Sequence, residues 1–144
     1  MEVAPYIIFN GNCEEALNFY ANALGGQVQQ IMRYSDAPPE VQQNMGGGGD
    51  LVMHATFQAG GIMLMASDSG KTAPATGKEG GMVHLSINFD DSGALENAFM
   101  KLGEGGTVTM NLQDTFWGAR FGMLTDRFGI NWMFNFDKGK PNQG

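Results

Sequence analysis

The sequence predicts an α+β fold built from two βαβββ modules, and three observations lead to this class. The order strand, helix, strand, strand, strand is predicted twice along the 144 residues. Short motifs recur at corresponding places in the two halves. The 22 glycines favour many tight turns over long helices. Two such modules side by side are expected to form a curved eight-stranded mixed sheet, with the helices outside and a central cleft for a ligand.

The recurring motifs follow the predicted helices and precede the last predicted strands. Gly25-Gly26-x-Val28 in the first half corresponds to Gly105-Gly106-x-Val108 in the second half. Gly61-Ile62-x-x-Met65 corresponds to Gly129-Ile130-x-x-Met133. The register drifts between these matches, as is expected for an old duplication whose loops have changed length. We therefore predict one domain over residues 1–144, with module 1 at about 1–68, a linker at 69–80 and module 2 at about 81–138.

The first module is predicted to begin with a strand and a helix. Val3–Asn10 is apolar, β-branched and aromatic, which favours a strand. Asn12 is a good N-cap for the helix, and Glu15 is placed to complete a capping box. Gly25-Gly26 is expected to end the helix. One helical stripe is formed by Cys13, Ala16, Leu17, Tyr20 and Leu24.

Three further strands complete the first module in this prediction. They are Gln27–Tyr34, Leu51–Gln58 and Ile62–Ser67, and a short Ala59-Gly60-Gly61 turn joins the last two. Ser35–Asp50 contains Pro38-Pro39 and four consecutive glycines, so it is predicted to be a long exposed loop.

The second module is predicted to repeat this order. Met82–Phe89 is a strand, and Asp91 or Ser92 caps a helix that ends at Gly103. The helix stripe consists of Leu95, Ala98, Phe99 and Leu102. The remaining predicted strands are Thr107–Leu112, Ala119–Thr125 and Ile130–Phe136, and the last two flank an Asp126–Gly129 turn. In the last strand Ile130, Trp132, Phe134 and Phe136 alternate with Asn131, Met133 and Asn135, which gives one apolar and one more polar face.

The composition excludes several classes of partner. The net charge of −7 makes nucleic acid and anionic membranes unsuitable partners. A single cysteine, Cys13, excludes an internal disulfide framework and fits a reducing compartment. No apolar run approaches the roughly 20 residues that span a bilayer, and the first ten residues lack the basic start of a signal peptide. A soluble cytoplasmic protein with a small-molecule ligand is expected.

The chain resembles the PhnB-like branch of the vicinal oxygen chelate superfamily, which includes glyoxalase I, bleomycin-resistance proteins and extradiol dioxygenases. The resemblance covers nearly the whole sequence and implies the paired βαβββ fold and a homodimer. It is carried by Phe19-Tyr20-x-x-x-Leu24-Gly25, Val52-Met53-His54-Ala55, Leu64-Met65-Ala66-Ser67-Asp68, the stretch DTFWGARFG from Asp114 to Gly122, and Asp126-x-Phe128-Gly129-x-Asn131-Trp132. Some relatives carry a demethylubiquinone methyltransferase name, but this sequence has no strand–GxG–helix unit for a nucleotide-sized cofactor.

The resemblance also implies where a metal ion would be held. Superfamily enzymes place His or Glu ligands on the first and last strands of each module. The last-strand positions, four residues after the turn glycine, are Met65 and Met133, and the first-strand position of module 1, at Ala4–Tyr6, offers no ligand. His84 alone remains on the first strand of module 2. One imidazole and two thioethers are a poor set for zinc, iron or manganese, so we predict no catalytic metal and no cofactor.

The candidate residues of the ligand cleft lie on several of the predicted strands. They are His84, His54, Arg120, Trp117, Met65, Met133, Ser86 and Asn88. His84 is equally well interpreted as a hydrogen-bonded structural residue. For His54 the structural interpretation is favoured. Arg120 is expected either to bind a ligand anion or to form a salt bridge with Asp114 or Asp126. Cys13 begins a helix, where a thiolate is favoured, but its position on the buried stripe favours packing.

Three functions fit these observations. The first is a PhnB-like small-molecule binding protein with an apolar cleft and no catalytic metal. The second is a superfamily enzyme of lyase, isomerase or dioxygenase type that uses His84 or His54 for proton transfer, with a lost or relocated metal. The third is a protein that sequesters a drug or antibiotic. The sequence assigns no catalytic residue and no natural ligand.

Overall fold

The computed structural model describes residues 1, 3–40, 49–69, 82–116 and 118–137, which contain eight strands and two long helices. In chain order they are β1 (Tyr6–Phe9), α1 (Cys13–Leu24), β2 (Gln27–Arg33), β3 (Val52–Ala59), β4 (Ile62–Asp68), β5 (Leu85–Phe89), α2 (Ser92–Leu102), β6 (Thr107–Asp114), β7 (Arg120–Thr125) and β8 (Asn131–Phe136). They form two compact units, Met1–Ala75 and Thr76–Gly144. No helix among the described residues is long and apolar enough to cross a membrane.

The first unit is a four-stranded mixed sheet with α1 on one face. The strand order is β1-β4-β3-β2, in which β1 runs parallel to β4 and the other pairs are antiparallel. The predicted stripe of α1 is buried from Cys13 to Tyr20, whereas Leu24 is only half-buried. Tyr20 meets Phe57 of β3 edge to face, with ring centroids 6.4 Å apart. The predicted βαβββ order of this half is confirmed.

The start of α1 differs from the predicted capping box. The Asn12 side chain makes no capping hydrogen bond. Instead the Cys13 N–H donates to Asp68 Oδ1 at 2.8 Å, so the last residue of β4 supplies the acceptor that a free helix end needs. The sequence predicted a cap from the neighbouring Asn12, but the Asp68 carboxylate at the end of β4 accepts the hydrogen bond instead.

The segment after β2 also differs from the predicted loop. Tyr34–Asp36 forms a short 3₁₀ helix, and the Asp36 carboxylate accepts the Arg33 N–H at 2.8 Å. Helical backbone begins again at residues 39 and 40, which suits the proline pair because proline is well tolerated in the first turn of a helix. Residues 41–48 of the predicted loop lie outside the described residues.

The second unit repeats the topology of the first. Its strand order is β5-β8-β7-β6, with β5 parallel to β8 and the other pairs antiparallel. Asp91 caps α2, because its side chain accepts the Ala94 N–H at 2.8 Å. Phe134 is fully buried between α2 and β5, with ring centroids 5.0 Å from Phe99 and 6.0 Å from Phe89. The internal repeat predicted from the sequence is therefore confirmed.

The first strand of each unit is shorter than predicted. β1 pairs with β4 only from Tyr6 to Phe9, and β5 pairs with β8 only from Leu85 to Phe89. β8 begins at Asn131, one residue before the Trp132 that pairs with Leu85. β4 extends beyond Tyr6, and the Pro5 carbonyl oxygen accepts the Met65 N–H at 3.1 Å just before β1 begins. Of the predicted linker, Ser69 is described and residues 70–80 lie outside the described residues.

Candidate functional site

Each sheet has one face that packs on its helix and one helix-free face. In the first unit the odd residues Ala55, Phe57 and Ala59 of β3 are buried on the helix face, so the even residues lie on the helix-free face. The strand register aligns these residues with partners on β1, β4 and β2. The helix-free face of the first sheet includes Tyr6, Gln30, Met32, His54, Thr56 and Met65.

His54 has a specific partner on this face. The Tyr6 hydroxyl group and His54 Nδ1 lie 3.1 Å apart, and the two rings have centroids 5.7 Å apart. The tautomer of the imidazole decides which of the two groups donates this hydrogen bond. Met32 lies directly opposite His54 on β2. The sequence named His54 as a candidate but did not predict Tyr6 as its partner, because the contact joins residues 48 positions apart.

The helix-free face of the second sheet consists of two aligned rows. One row holds Ser86, Met133, Met123 and Met110 on four successive strands. The next row holds Asn88, Asn135, Phe121 and Gln113. Asn135 Nδ2 donates to Asn88 Oδ1 at 3.2 Å. The structure thus brings together Ser86, Asn88 and Met133, which the sequence named as candidates, and adds residues that only the cross-strand register reveals.

His84 lies outside the ladder of the second sheet. It precedes β5 and is exposed, where the sequence predicted a strand position. Asn131 Nδ2 donates to the Val83 carbonyl oxygen at 3.1 Å, so a side chain of β8 bonds the chain just before β5. His84 and His54 belong to different units.

Arg120 lies on the helix face, away from the two aligned rows. Its guanidinium group binds Glu96 Oε2 of α2 at 3.1 Å and Asp114 Oδ1 of β6 at 3.4 Å. The salt bridge with Asp114 that the sequence left open is therefore present. Asp126 has other bonds: its carboxylate accepts the N–H groups of Phe128 and Ile130, and the indole N–H of Trp132 at 2.9 Å. The candidate Trp117 lies outside the described residues.

The donor set of the expected metal positions does not fit a divalent ion. Met65 is paired with Tyr6, and Met133 is paired with Ser86, at equivalent places in the two parallel strand pairs. The donors predicted from the sequence are the His84 imidazole and the thioethers of Met65 and Met133. Tyr6 and Ser86 add only a phenol and an aliphatic hydroxyl group. Zinc, iron and manganese are held by several imidazole, carboxylate or thiolate groups. The described residues contain no group of three or more His, Cys, Asp or Glu side chains arranged to hold a metal.

Cys13 is a packed core residue. It is fully buried, and burial raises the pKa of its thiol to about 12, with further increases from the negative charges of Asp68 and Glu14. The helix start that favours a thiolate is offset by these effects. The expectation that Cys13 serves packing is therefore confirmed.

Comparison with known proteins shows one family across the chain. The family model described as the Glyoxalase/Bleomycin resistance protein/Dioxygenase superfamily matches residues 2–134. The crystal structure of protein PA1353 from Pseudomonas aeruginosa is 40% identical and superposes with a TM-score of 0.79, covering 95% of this chain and 98% of that one. The PhnB protein from Bacillus cereus is 26% identical with a TM-score of 0.73, covering 94% and 99%. Protein YjdN of Escherichia coli is 29% identical over 99% of this chain and 100% of its own length.

Proposed function

The chain belongs to the glyoxalase/bleomycin resistance protein/dioxygenase superfamily, and from this premise we propose that it is a PhnB-like protein that binds a small molecule without a catalytic metal. The similarity to the PhnB protein from Bacillus cereus over 94% of the chain supports the PhnB-like assignment. The ligand is proposed to contact a helix-free face, either that of the first sheet or that of the second sheet.

The lack of formal charge on these faces is the observation that carries the proposal. The described strands contain four Asp, Glu, Lys or Arg residues, namely Arg33, Asp68, Asp114 and Arg120, and each is bonded on the helix side of its sheet. What remains on the helix-free faces is methionine, aromatic, hydroxyl and amide groups with His54. Such surfaces suit an apolar ligand with a few neutral polar groups. They favour capture of a cationic drug less, because that requires carboxylates at the binding surface.

Metal independence is tested by chelation. We expect the protein purified without chelators to hold no stoichiometric metal, and its Tm to be unchanged by EDTA or by added zinc, manganese or iron(II). A ligand that binds the folded state at 100 times its Kd adds about 2.7 kcal/mol to the free energy of unfolding. A metal-dependent rise in Tm that is lost in His54→Ala would contradict the metal-free proposal.

Ligand binding is tested by a thermal-shift screen with a metabolite library. We expect at least one uncharged compound to raise Tm in a concentration-dependent manner, because only binding to the folded state increases Tm. Replacing Met133 with Lys places an unpaired charge on the helix-free face and is expected to abolish that rise. Met100→Lys is the matched control, since Met100 is an exposed residue on α2. An equal rise in both variants would place the ligand elsewhere.

An enzymatic function is the second candidate, and the Tyr6–His54 hydrogen bond favours it. A hydrogen bond with a phenol group restricts the position of the imidazole ring, which general acid–base chemistry requires. If turnover of a ligand from the screen is observed, Tyr6→Phe is expected to reduce kcat and keep binding, because only the hydroxyl group is lost. Unchanged kcat in both Tyr6→Phe and His54→Ala would exclude this pair from the chemistry.

We propose further that the chain acts as a single two-module domain, in the cytoplasm and as a homodimer. The exposed apolar side chains of the end strand β1 support association: Ile8 is 67% exposed and Tyr6 is 45% exposed. End strands with apolar side chains are readily covered by a partner chain.

The buried, protonated thiol of Cys13 supports a reducing compartment.

A further inference from the structure

Three methionines lie side by side on the helix-free face of the second sheet. Met133 is paired with Met123 across β8 and β7, and Met123 is paired with Met110 across β7 and β6. Directly opposite residues have Cβ atoms about 4.5–5.5 Å apart, so the thioether side chains form a continuous strip, here called the methionine ladder. All three side chains are half-buried, and part of each is accessible to a ligand.

A row of neutral polar side chains runs beside the methionine ladder. This amide row consists of Asn88, Asn135 and Gln113, with Phe121 between the last two. The Asn135–Asn88 hydrogen bond of 3.2 Å fixes the two amides relative to each other and uses one donor and one acceptor. Each amide has two donors and an acceptor with two lone pairs, so the pair retains capacity for an additional partner.

Neutrality distinguishes this face from the chain as a whole. The chain carries a net charge of −7, yet the two rows contain no ionisable side chain in the described strands. Arg120 and Asp114, the charged residues of β7 and β6, pair with each other, and Arg120 also pairs with Glu96 on the helix side. An ionised ligand on the two rows would lose hydration without gaining a countercharge, which is costly. The face therefore selects against anions and cations alike.

We propose that the methionine ladder and the amide row form a subsite for an uncharged aromatic compound that carries hydroxyl or carbonyl groups. Thioether sulfur contacts aromatic rings favourably and adapts to their shape. The amides donate to and accept from the oxygen substituents of the ring. This inference rests on the proposed function, small-molecule binding, and assigns the ligand class recognised by the second unit.

The test uses methyl resonances of methionine as site-resolved probes. The full-length protein is labelled with carbon-13 at the methionine methyl groups and titrated separately with naphthol, decahydronaphthol and naphthoate. These three probes are an uncharged aromatic alcohol, its saturated counterpart and an anion of similar size. We expect naphthol to shift the resonances of Met110, Met123 and Met133, with weaker shifts from decahydronaphthol and none from naphthoate.

Two pairs of variants separate ligand contact from folding. Met123→Leu keeps volume and apolarity, and we expect it to weaken naphthol binding about twofold to tenfold because it removes sulfur–ring contact; Met100→Leu, at an exposed position of α2, is its control. Asn135→Ala removes one hydrogen-bonding partner, and we expect a loss of about twofold to tenfold; Asn97→Ala, at an exposed position of α2, is its control. Both control variants are expected to bind naphthol as the parent protein does.

Three outcomes would overturn the inference, and they are separable from failure of the proposed function. Naphthoate binding as tightly as naphthol would contradict neutrality as the selecting property. Shifts confined to Met32, Met63 and Met65 would place the aromatic ligand on the first sheet. No shift with any probe would also overturn the ligand class. A metabolite that raises Tm in the library screen would sustain small-molecule binding in each case, whereas failure of that screen together with silent methyl resonances would reject both.

Discussion

Asp68 is the residue at which three elements of the first unit meet. It ends β4, is 3% exposed, and uses one carboxylate oxygen for the Cys13 N–H of α1 and the other for the Val52 N–H of β3, at 2.8 and 2.9 Å. Its own carbonyl oxygen accepts the Tyr34 hydroxyl group at 3.1 Å. Bonds of buried N–H groups to a carboxylate are stronger than neutral ones. Asp68 therefore caps α1 and also bonds β3 through the same carboxylate.

Replacing Asp68 with Asn is expected to destabilise the protein. The amide group of Asn turns an NH₂ toward one of the two backbone N–H donors, so one buried donor loses its acceptor. We expect a loss of about 2–3 kcal/mol in the free energy of unfolding, measured by urea denaturation. Asp90→Asn is the control, because Asp90 is exposed, and its expected effect is about 0.5 kcal/mol or less. Equal stability of the two variants would show that the buried carboxylate is dispensable.

The buried thiol of Cys13 predicts a loss of stability at alkaline pH. Its pKa is raised from 9.0 to about 12 in the folded state, so the unfolded chain releases the proton first. The stabilising contribution is complete below pH 9 and is lost as the pH rises from 9 toward 12. We expect the free energy of unfolding of Cys13→Ala to fall less steeply over this range, as measured by urea denaturation at several pH values. Tyr34, whose pKa is also raised by burial, is present in both the parent protein and Cys13→Ala, so its titration does not contribute to the difference between them.

At the scale of the elements, the repeated glycines explain why the two modules share a motif. Gly26 and Gly106 occupy corresponding places just before β2 and β6. A Cβ atom at Gly26 would lie 2.5 Å from both the Gln58 carbonyl oxygen and the Ala59 Cβ. A Cβ atom at Gly106 would collide with the Thr125 carbonyl oxygen. Both glycines therefore allow the strand after the helix to approach its antiparallel neighbour.

Alanine at either glycine is expected to crowd the backbone. We expect Gly26→Ala and Gly106→Ala each to cost about 1–3 kcal/mol. The obstructing atoms are main-chain atoms at Gly106, and at Gly26 they include the Gln58 carbonyl oxygen and the Ala59 Cβ, which cannot rotate away. Gly61→Ala is the matched control: a Cβ atom there meets nothing within 4 Å. Its expected effect is neutral or a gain of about 0.4–1 kcal/mol from a less flexible unfolded chain. Thermal unfolding of the three variants checks the order, and a Gly61→Ala variant as unstable as the others would contradict it.

Sequence patterns predicted the type of each element better than its ends. The stripe from Cys13 to Tyr20 predicts α1 because a helix buries one side. The N-terminal cap of α1 and the start of β5 depend on residues far along the chain, Asp68 and Asn131. Local propensity contains no information about such contacts, which is why the capping box and the strand position of His84 were wrong.

At the scale of the whole molecule, the duplication could be predicted from the sequence, whereas the candidate site could be predicted only in part. The equivalent registers of Met65 and Met133 follow from motifs visible in the sequence. The Tyr6–His54 bond and the methionine ladder require strand order and register, which a periodic pattern does not define. Arg120 illustrates the limit: its position in the aromatic stretch gave no indication that Glu96 of α2 would bind it.

Association is the property of the whole molecule that is most readily tested. We expect sedimentation analysis to show a homodimer and Ile8→Asp to sediment as a monomer, because Ile8 is 67% exposed on the end strand β1 and a buried charge there is unfavourable. Met100→Asp is the control, since Met100 is 66% exposed on α2. A dimer that tolerates Ile8→Asp, or one disrupted only by Met100→Asp, would place the interface elsewhere.

The position of Asp68 has a consequence for synthesis on the ribosome. The nascent polypeptide delivers the segment of α1 early, but the carboxylate that completes its first turn leaves the exit tunnel only after the remainder of the unit has been translated. We therefore expect the start of α1 in a shorter nascent chain to lack this hydrogen bond until β4 has been synthesised. The carboxylate that stabilises the start of α1 in the folded protein is thus among the last groups of this unit to be synthesised.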